Sequence, residues 1–294
     1  MKKTLAIVVL LCITLGAQAQ LLWKVSGNGL DRPSYVFGTH HLAPLSIKDS
    51  IASLQQVIDR TEQVYGEIIM GDSISPEAVM VMQRAMTLPA DTTLKSLYTQ
   101  AEYDTLATVV KNYMGVDLAM LDKVKPAAIT AQLSVVLAMR SLKGFNPHEQ
   151  LDTWFQAQAR RAGKKVGSLE TIDMQADLLY QSQSLARQAS LLYCAATHIG
   201  QGIDQAVRMN RAYMAQDLDG LLAVMEEQAD DVCDNTPEEI DALVYHRNEN
   251  WSRQLPEIMK QSPTLFVVGA GHLPGTRGLL KLLQQQGYTV EAMK

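Results

Sequence analysis

The sequence predicts an α/β fold, α+β-like and helix-rich, in which N- and C-terminal segments build one central mixed sheet around a large helical insertion or cap. Three observations lead there. Strand-like apolar runs concentrate toward the two ends of the 294-residue chain, the long middle carries helical periodicity, and one phrase recurs near both ends. Tyr35-Val36-Phe37-Gly38-Thr39-His40-His41-Leu42 and Phe266-Val267-Val268-Gly269-Ala270-Gly271-His272-Leu273 align without gaps as an apolar run, Gly-x-x-His and Leu. The run suits a buried strand, glycine permits close approach or positive φ at its end, and the histidine stands just past it. Two imidazoles from distant sequence are therefore expected at one sheet edge, as a metal or acid/base site would require.

The elements follow in order. Lys2 and Lys3, the apolar stretch Leu5 to Leu15 and Ala17-Gln18-Ala19 read as a secretory signal, residues 1–19, cleaved after Ala19. The stretch is shorter than the ~20 residues of a spanning helix. No Pro/Ser/Gly-rich linker divides residues 20–294, which are expected to form one domain. Leu21 to Ser26 and Ser34 to Phe37 flank Gly27-Asn28-Gly29 as a hairpin. Gln63 to Met70 and Lys165 to Leu169 read as further strands, the second short and buried. Thr264 to Val268, a helix near Thr276 to Gln285, and Tyr288 to Ala292 suggest a right-handed crossover. Ser75-Pro76-Glu77 opens a helix to Met86, with an N-cap and Pro at the first helical position. Helices are expected at Ala101 to Tyr113, Pro126 to Arg140, Leu151 to Ala162, Met174 to Ala212, Asp217 to Gln228, Pro237 to Leu243 and Asn248 to Lys260. Methionines in this region suit an adaptable core, or an open groove for apolar or peptide ligands.

Loss of the leader leaves 24 basic and 31 acidic residues, net −7. That balance, without basic runs interleaved with aromatics, recruits no nucleic acid. No later segment is apolar enough to span a membrane, so the expected location is periplasmic or secreted; the oligomeric state is left open. Cys194 and Cys233 survive cleavage, and spacing alone allows either a disulfide or two separate thiols.

Chemistry begins with histidine. The gapless match selects His41 as the partner of His272, leaving His40 on the opposite side as a supporting residue. His148 and His198 read as structural or surface groups. Glu67 lies inside an apolar strand, where an ionised group is expensive unless paired or coordinated. Glu170 closes the other short strand. Asp152 and Asp173, near helix starts, are explained by N-capping. Two histidines and a carboxylate suit Zn, Mn, Fe or Co and would lower the pKa of a bound water. His-Glu-x-x-His, Cys-x-x-Cys, Walker and Gly-x-Ser-x-Gly motifs are all missing from the sequence.

These residues resemble the TraB/GumN family of exported bacterial proteins, related in sequence to the TIKI metalloproteases of animals and more remotely to the ChaN and erythromycin esterase group. The resemblance runs through Leu22-Trp23-Lys24-Val25, Pro33 to His41, the Glu67 strand, Leu121 to Pro126 and Leu151-Asp152-Thr153. It continues in Gly163-Lys164-Lys165, Leu169-Glu170-Thr171 with Gln175, Arg247-Asn248 with Trp251, and Val268 to Leu273. It implies a divalent-metal-dependent peptidase using Mn, Co or Zn on a peptide or protein substrate. Carried over residue by residue, His41 and His272 are the motif histidines, Glu67 the strand glutamate and Arg247 the arginine of Arg-Asn. Glu67 would be a metal ligand or the general base; if it ligates, Glu170 is the next base. Arg247 would stabilise an oxyanion or bind a substrate carboxylate, or else form an ion pair joining the helical region to the sheet. The rival class is a non-catalytic exported protein that binds a peptide or metal complex in the same cleft.

Overall fold

The structure, a computed structural model, describes residues 20–71, 75–229 and 231–293. The expected leader and its cleavage site lie outside the described residues. Strands β1 (Leu22–Ser26) and β2 (Ser34–Thr39) form the expected antiparallel hairpin, with Leu22 opposite Phe37. They join β3 (Gln63–Gly66), β4 (Lys165–Ser168), β5 (Thr264–Gly269) and β6 (Thr289–Ala292) in one mixed sheet of order β4-β3-β5-β2-β1-β6. β4, β3, β5 and β2 are mutually parallel, so their carboxyl ends share one edge. β2 is buried throughout and β5 up to its last residue, which explains their continuous apolar runs.

The helices are α1 (Leu54–Arg60), α2 (Pro76–Ala85), α3 (Gln100–Met114), α4 (Pro126–Ser141), α5 (Leu151–Arg161) and α6 (Ile172–Tyr180). They continue with α7 (Leu185–Thr197), α8 (Ile199–Met214), α9 (Leu218–Met225), α10 (Pro237–Ile240), α11 (His246–Gln261) and α12 (Leu279–Gln285). Asp241–Tyr245, between α10 and α11, is a π-helical turn. The main core gathers the sheet with α5, α11 and α12; Phe155 of α5 packs against Phe37 of β2 with ring centroids 4.8 Å apart and tilted by 54°. A second core, centred on Leu106, Val110, Ile129 and Leu192, holds α3, α4 and α7 together as the helical cap. Tyr213 of α8 ties cap to sheet, its hydroxyl donating to Gly38 O at 2.9 Å.

Several expectations are corrected. The strand read across Gln63 to Met70 stops at Gly66, so Glu67 lies just beyond the strand. Its continuation is held by a side chain instead of a ladder: buried Gln156 donates to Ile68 O and accepts from Met70 N. β4 is a part-exposed edge strand, not a buried one. The single helix expected over Met174 to Ala212 is three, because Ser184 caps a new start at Arg187 N and Gln188 donates to the carbonyls of Tyr180 and Gln183. α1 forms where no element was expected. β6 runs parallel to β5, but β2 and β1 lie between them and its partner is β1. Asp152 and Asp173 are not caps; Gln150 and Thr171 hold those positions. Cys194 and Cys233 form a disulfide. No helix among the described residues is long and apolar enough to cross a membrane.

The two motifs meet at adjacent strand ends, staggered by one residue: Gly38 pairs with Val268 and Thr39 with Gly269. A Cβ on Gly38 would meet Leu273 Cδ1 at 2.8 Å and Ala270 Cα at 3.0 Å. The first glycine therefore lets the second motif's turn close over β2. Gly38→Ala is expected to cost about 1–3 kcal/mol in urea-induced unfolding, the range for overpacking a filled site.

Candidate active site

The carboxyl edge of a parallel sheet is where loops can converge side chains from several strands. Here Glu67 follows β3, Glu170 follows β4, His40 and His41 follow β2, and His272 closes the single turn after β5. α11 brings Arg247, Asn248 and Trp251 to the same edge.

Arg247 is the centre. Its Nε donates to Glu170 Oε1 at 2.8 Å, and Nη2 reaches Glu170 Oε2 at 3.0 Å and Glu67 Oε2 at 2.5 Å. Nη1 reaches His272 Nε2 at 3.0 Å and Leu243 O, in the π turn, at 3.1 Å. Five contacts match the five N–H donors of a guanidinium. The Trp251 ring lies beneath, 4.7 Å from the guanidinium carbon, and its Nε1 donates to Glu170 Oε1 at 3.0 Å. Gln175 Nε2 lies between the two carboxylates, 3.2 Å from Glu67 and 3.1 Å from Glu170. Glu170 thus meets four donor contacts from Arg247, Trp251 and Gln175. The ion pair joining helical region to sheet is what the structure shows for Arg247.

Glu67 Oε1 accepts from Gly269 N at 2.8 Å. The fit is close there as well: a Cβ on Gly269 would stand 3.3 Å from that oxygen and 3.4 Å from His272 Cδ2. Burial pushes the Glu67 carboxyl up, but His272, Arg247 and the Gly269 amide outweigh it and hold the group at about 2. Of these, Arg247 is the partner that carries charge at neutral pH. A carboxylate so acidic is a weak proton acceptor, which favours an electrostatic or ligating role over that of general base.

The His272 tautomer follows from its neighbours. Arg247 can only donate, so Nε2 carries the lone pair and Nδ1–H donates to Asn248 Oδ1 at 2.8 Å; Asn248 Nδ2 in turn donates to Arg277 O. Burial pushes His272 down to about 4, so the ring is neutral. His41 is different. Its side chain is 59% exposed, and Nδ1 lies 3.3 Å from Asp152 Oδ2, whose carboxylate pushes the imidazole up to about 9. Asp152, buried, also accepts from Thr39 Oγ1 at 2.9 Å, while its Oδ2 makes no hydrogen bond. His40 faces away, its ring 5.4 Å from Tyr213, and burial pushes it down to about 4.

The edge therefore unites Glu67, Glu170, Arg247 and His272, sets His41 above them within reach of their charges, and turns His40 elsewhere. Sequence reasoning assigned Asp152 to capping, although it is buried beneath His41. Gln175, Asn248 and Trp251 entered only through family resemblance; no local pattern marks them.

A family model matches residues 21–292, described as TraB/PrgY/gumN family. The chain belongs to that family. Two curated relatives, Metalloprotease TIKI2 and Metalloprotease TIKI1 of Danio rerio, are each 24% identical to it, over 314 and 317 aligned positions covering 92% of this chain. The chain spans about 60% of the length of these relatives. No solved structure matches it.

A divalent ion at this edge would draw its ligands from His41, His272 and Glu67. Nδ1 of His272 is hydrogen-bonded to Asn248 Oδ1, Nδ1 of His41 faces Asp152 Oδ2 at 3.3 Å, and Glu67 Oε1 lies 4.0 Å from His272 Nε2. In this arrangement Arg247 supplies the positive charge between Glu67 and His272. The one group of three or more His, Cys, Asp or Glu residues, among those described, whose ligand atoms all lie within 4.8 Å is Cys194, His198 and Cys233. Its sulfurs form the disulfide and are not thiolates.

Two outcomes test these electrostatics. Folded His272 and His40 bind protons only below about 4, against 6.5 when unfolded, so both favour unfolding as pH falls from 6.5 to 4. Urea titrations should show stability declining through that window, roughly 2–4 kcal/mol from His272, with His272→Gln flattening the slope. His41 acts oppositely: its contribution is complete below 6.5 and lost as pH rises toward 9, and its exposure makes that loss smaller. Asp152→Asn is expected to bring the His41 titration, followed by NMR, down by one pH unit or more.

Proposed function

We propose that the protein is an exported, metal-dependent hydrolase of peptide type. The observation that carries this reading is the convergence of both Gly-x-x-His motifs on adjacent parallel strand ends beside Glu67 and Arg247. His41, His272 and Glu67 would hold the ion. Manganese, cobalt or zinc, when bound, polarises a carbonyl and lowers the pKa of a coordinated water.

The chain's own residues perform the rest. Asn248 keeps the His272 lone pair on Nε2, and Asp152 faces His41 Nδ1 and favours a proton there, so that binding an ion at His41 requires Nε2 to lose its proton. Glu67 stays ionised throughout the working pH range. Glu170, with Trp251 and Gln175, positions Arg247, whose five N–H groups engage Glu170, Glu67, His272 and Leu243 O and which would act on a substrate oxygen through its charge. Their saturation of Glu170 argues for a positioning role there over that of base. The Cys194–Cys233 bridge supports export, since disulfides persist in oxidising compartments. Arg247, in the place a cation would take between Glu67 and His272, favours a second reading: an exported protein that binds a peptide without cleaving it.

Incubation of the purified protein with a peptide mixture in Mn, Co or Zn, followed by mass spectrometry, separates the two. Hydrolysis predicts cleavage that falls at least 100-fold in His272→Ala and in Glu67→Gln with circular dichroism unchanged. A protein that gains no thermal stability from any of these ions and cleaves nothing refutes the hydrolase.

A further inference from the structure

Two cavities flank the site. The larger, about 650 Å³, lies between α4, α7, α8 and the segment after α9, and reaches His40 and Leu42 on either side of His41. The smaller, about 350 Å³, reaches Gly271, next to His272. Glu227, Gln228 and Asn235 line both, so one segment forms their common wall. That wall is pinned by the disulfide to α7 and by Arg187, which donates to Val232 O and Asp234 O at 2.5 Å.

The larger cavity has a chemical character. Leu42, Leu137, Ile199, Ile203 and Met209 are half-buried around it. Arg208, at its rim, is held by Asp204 at 2.8 Å and by Glu227, so it is not free to draw an anion, and Asp231 adds negative charge. His40, on its wall, has a buried Nε2 with no hydrogen-bond partner among the described residues. A buried ring nitrogen without a partner is costly, and an amide of a bound chain would satisfy it once the ring turns toward the cavity. The volume falls within the range of pockets that enclose a drug-sized ligand, ample for one bulky side chain.

We propose that the two cavities are side-chain subsites on either side of the reacting bond, and that the larger takes a bulky uncharged apolar side chain of an extended peptide hydrogen-bonded at His40 Nε2. The assignment rests on the hydrolase reading for the word "reacting" alone; the groove itself would bind the same peptide without turnover.

Gly202 offers a direct test. It lines the larger cavity from α8, and a Cβ there meets nothing within 4 Å. Gly202→Trp therefore starts from open space at the cavity lining and removes a helix-weakening glycine; Ala206→Trp, one turn on, is a second filling variant. Blocked decapeptides differing in one central residue, Leu, Phe, Ser or Asp, are assayed for kcat/KM on the wild type and for binding, by fluorescence anisotropy, on Glu67→Gln. The Leu and Phe peptides should exceed the Ser and Asp peptides at least tenfold in both. Either filling variant should erase that difference by raising KM and Kd for Leu and Phe while leaving Ser unchanged. His40→Phe should weaken Leu and Ser peptides alike. If the wild type cleaves none of the four while the Leu peptide binds and Gly202→Trp abolishes binding, the hydrolase reading fails and the groove stands. Equal binding of all four, or a Leu peptide indifferent to both filling variants, overturns the groove.

Discussion

Arg247 presents five N–H donors, and this part of the molecule is organised around satisfying them. The buried carboxylate of Glu170 and the part-buried one of Glu67 meet one guanidinium, so the cluster would carry excess negative charge if Arg247 were its only support. Gly269 N, Trp251 Nε1 and Gln175 Nε2 supply the remaining donors. Removing one partner of such a buried pair typically costs ~3–5 kcal/mol, because the other is left charged and dry. The ends of β3 and β4, the turn after β5 and the start of α11 are therefore bound into one unit, although 180 residues separate Glu67 from Arg247.

The same saturation assigns chemical roles. A glutamate engaged on both oxygens by Arg247, Trp251 and Gln175 is poorly placed to accept a further proton, so Glu170 serves geometry. Glu67 keeps one side of Oε1 toward His272 and stays ionised. His272 is neutral with its lone pair turned into the cluster, and His41 is charged and solvent-facing. Two histidines from one repeated phrase thus have opposite electrostatic states. A buried amide faces Nδ1 of His272, whereas a carboxylate faces Nδ1 of His41.

The hairpin, the central strands and the meeting of the two motifs were legible in the sequence because apolar runs ending in glycine have few alternatives to a strand edge. Glu67 was legible for a related reason: an acid in an apolar segment needs a partner. The end of β3 was not, since Gln156 replaces the ladder from 86 residues away. Asp152 was missed because an acid in a first helical turn has a local explanation, and its distant partners, Thr39 and His41, leave no periodic trace. The one-residue stagger between the motifs was hidden too; it arises from strand register, which neither phrase encodes alone.

The position of the cap over the site follows from topology. A chain leaving β3 or β4 exits at the carboxyl edge, where the site lies, and must return to the opposite edge before the next parallel strand can begin. α5 makes that return before β4, and α11 makes it before β5, both packed in the main core. The helices ahead of these returns, α2 to α4 and α6 to α9, are consequently inserted at the edge that carries the histidines. α8 seals the arrangement through the Tyr213 hydroxyl on Gly38 O, a bond to the backbone of the first motif itself. Movement of the cap relative to the sheet would therefore reach the strand end that presents His40 and His41 without passing through the Arg247 cluster. The charged half of the site is fixed by its own ion pairs, and the half that faces the larger cavity is positioned by the cap.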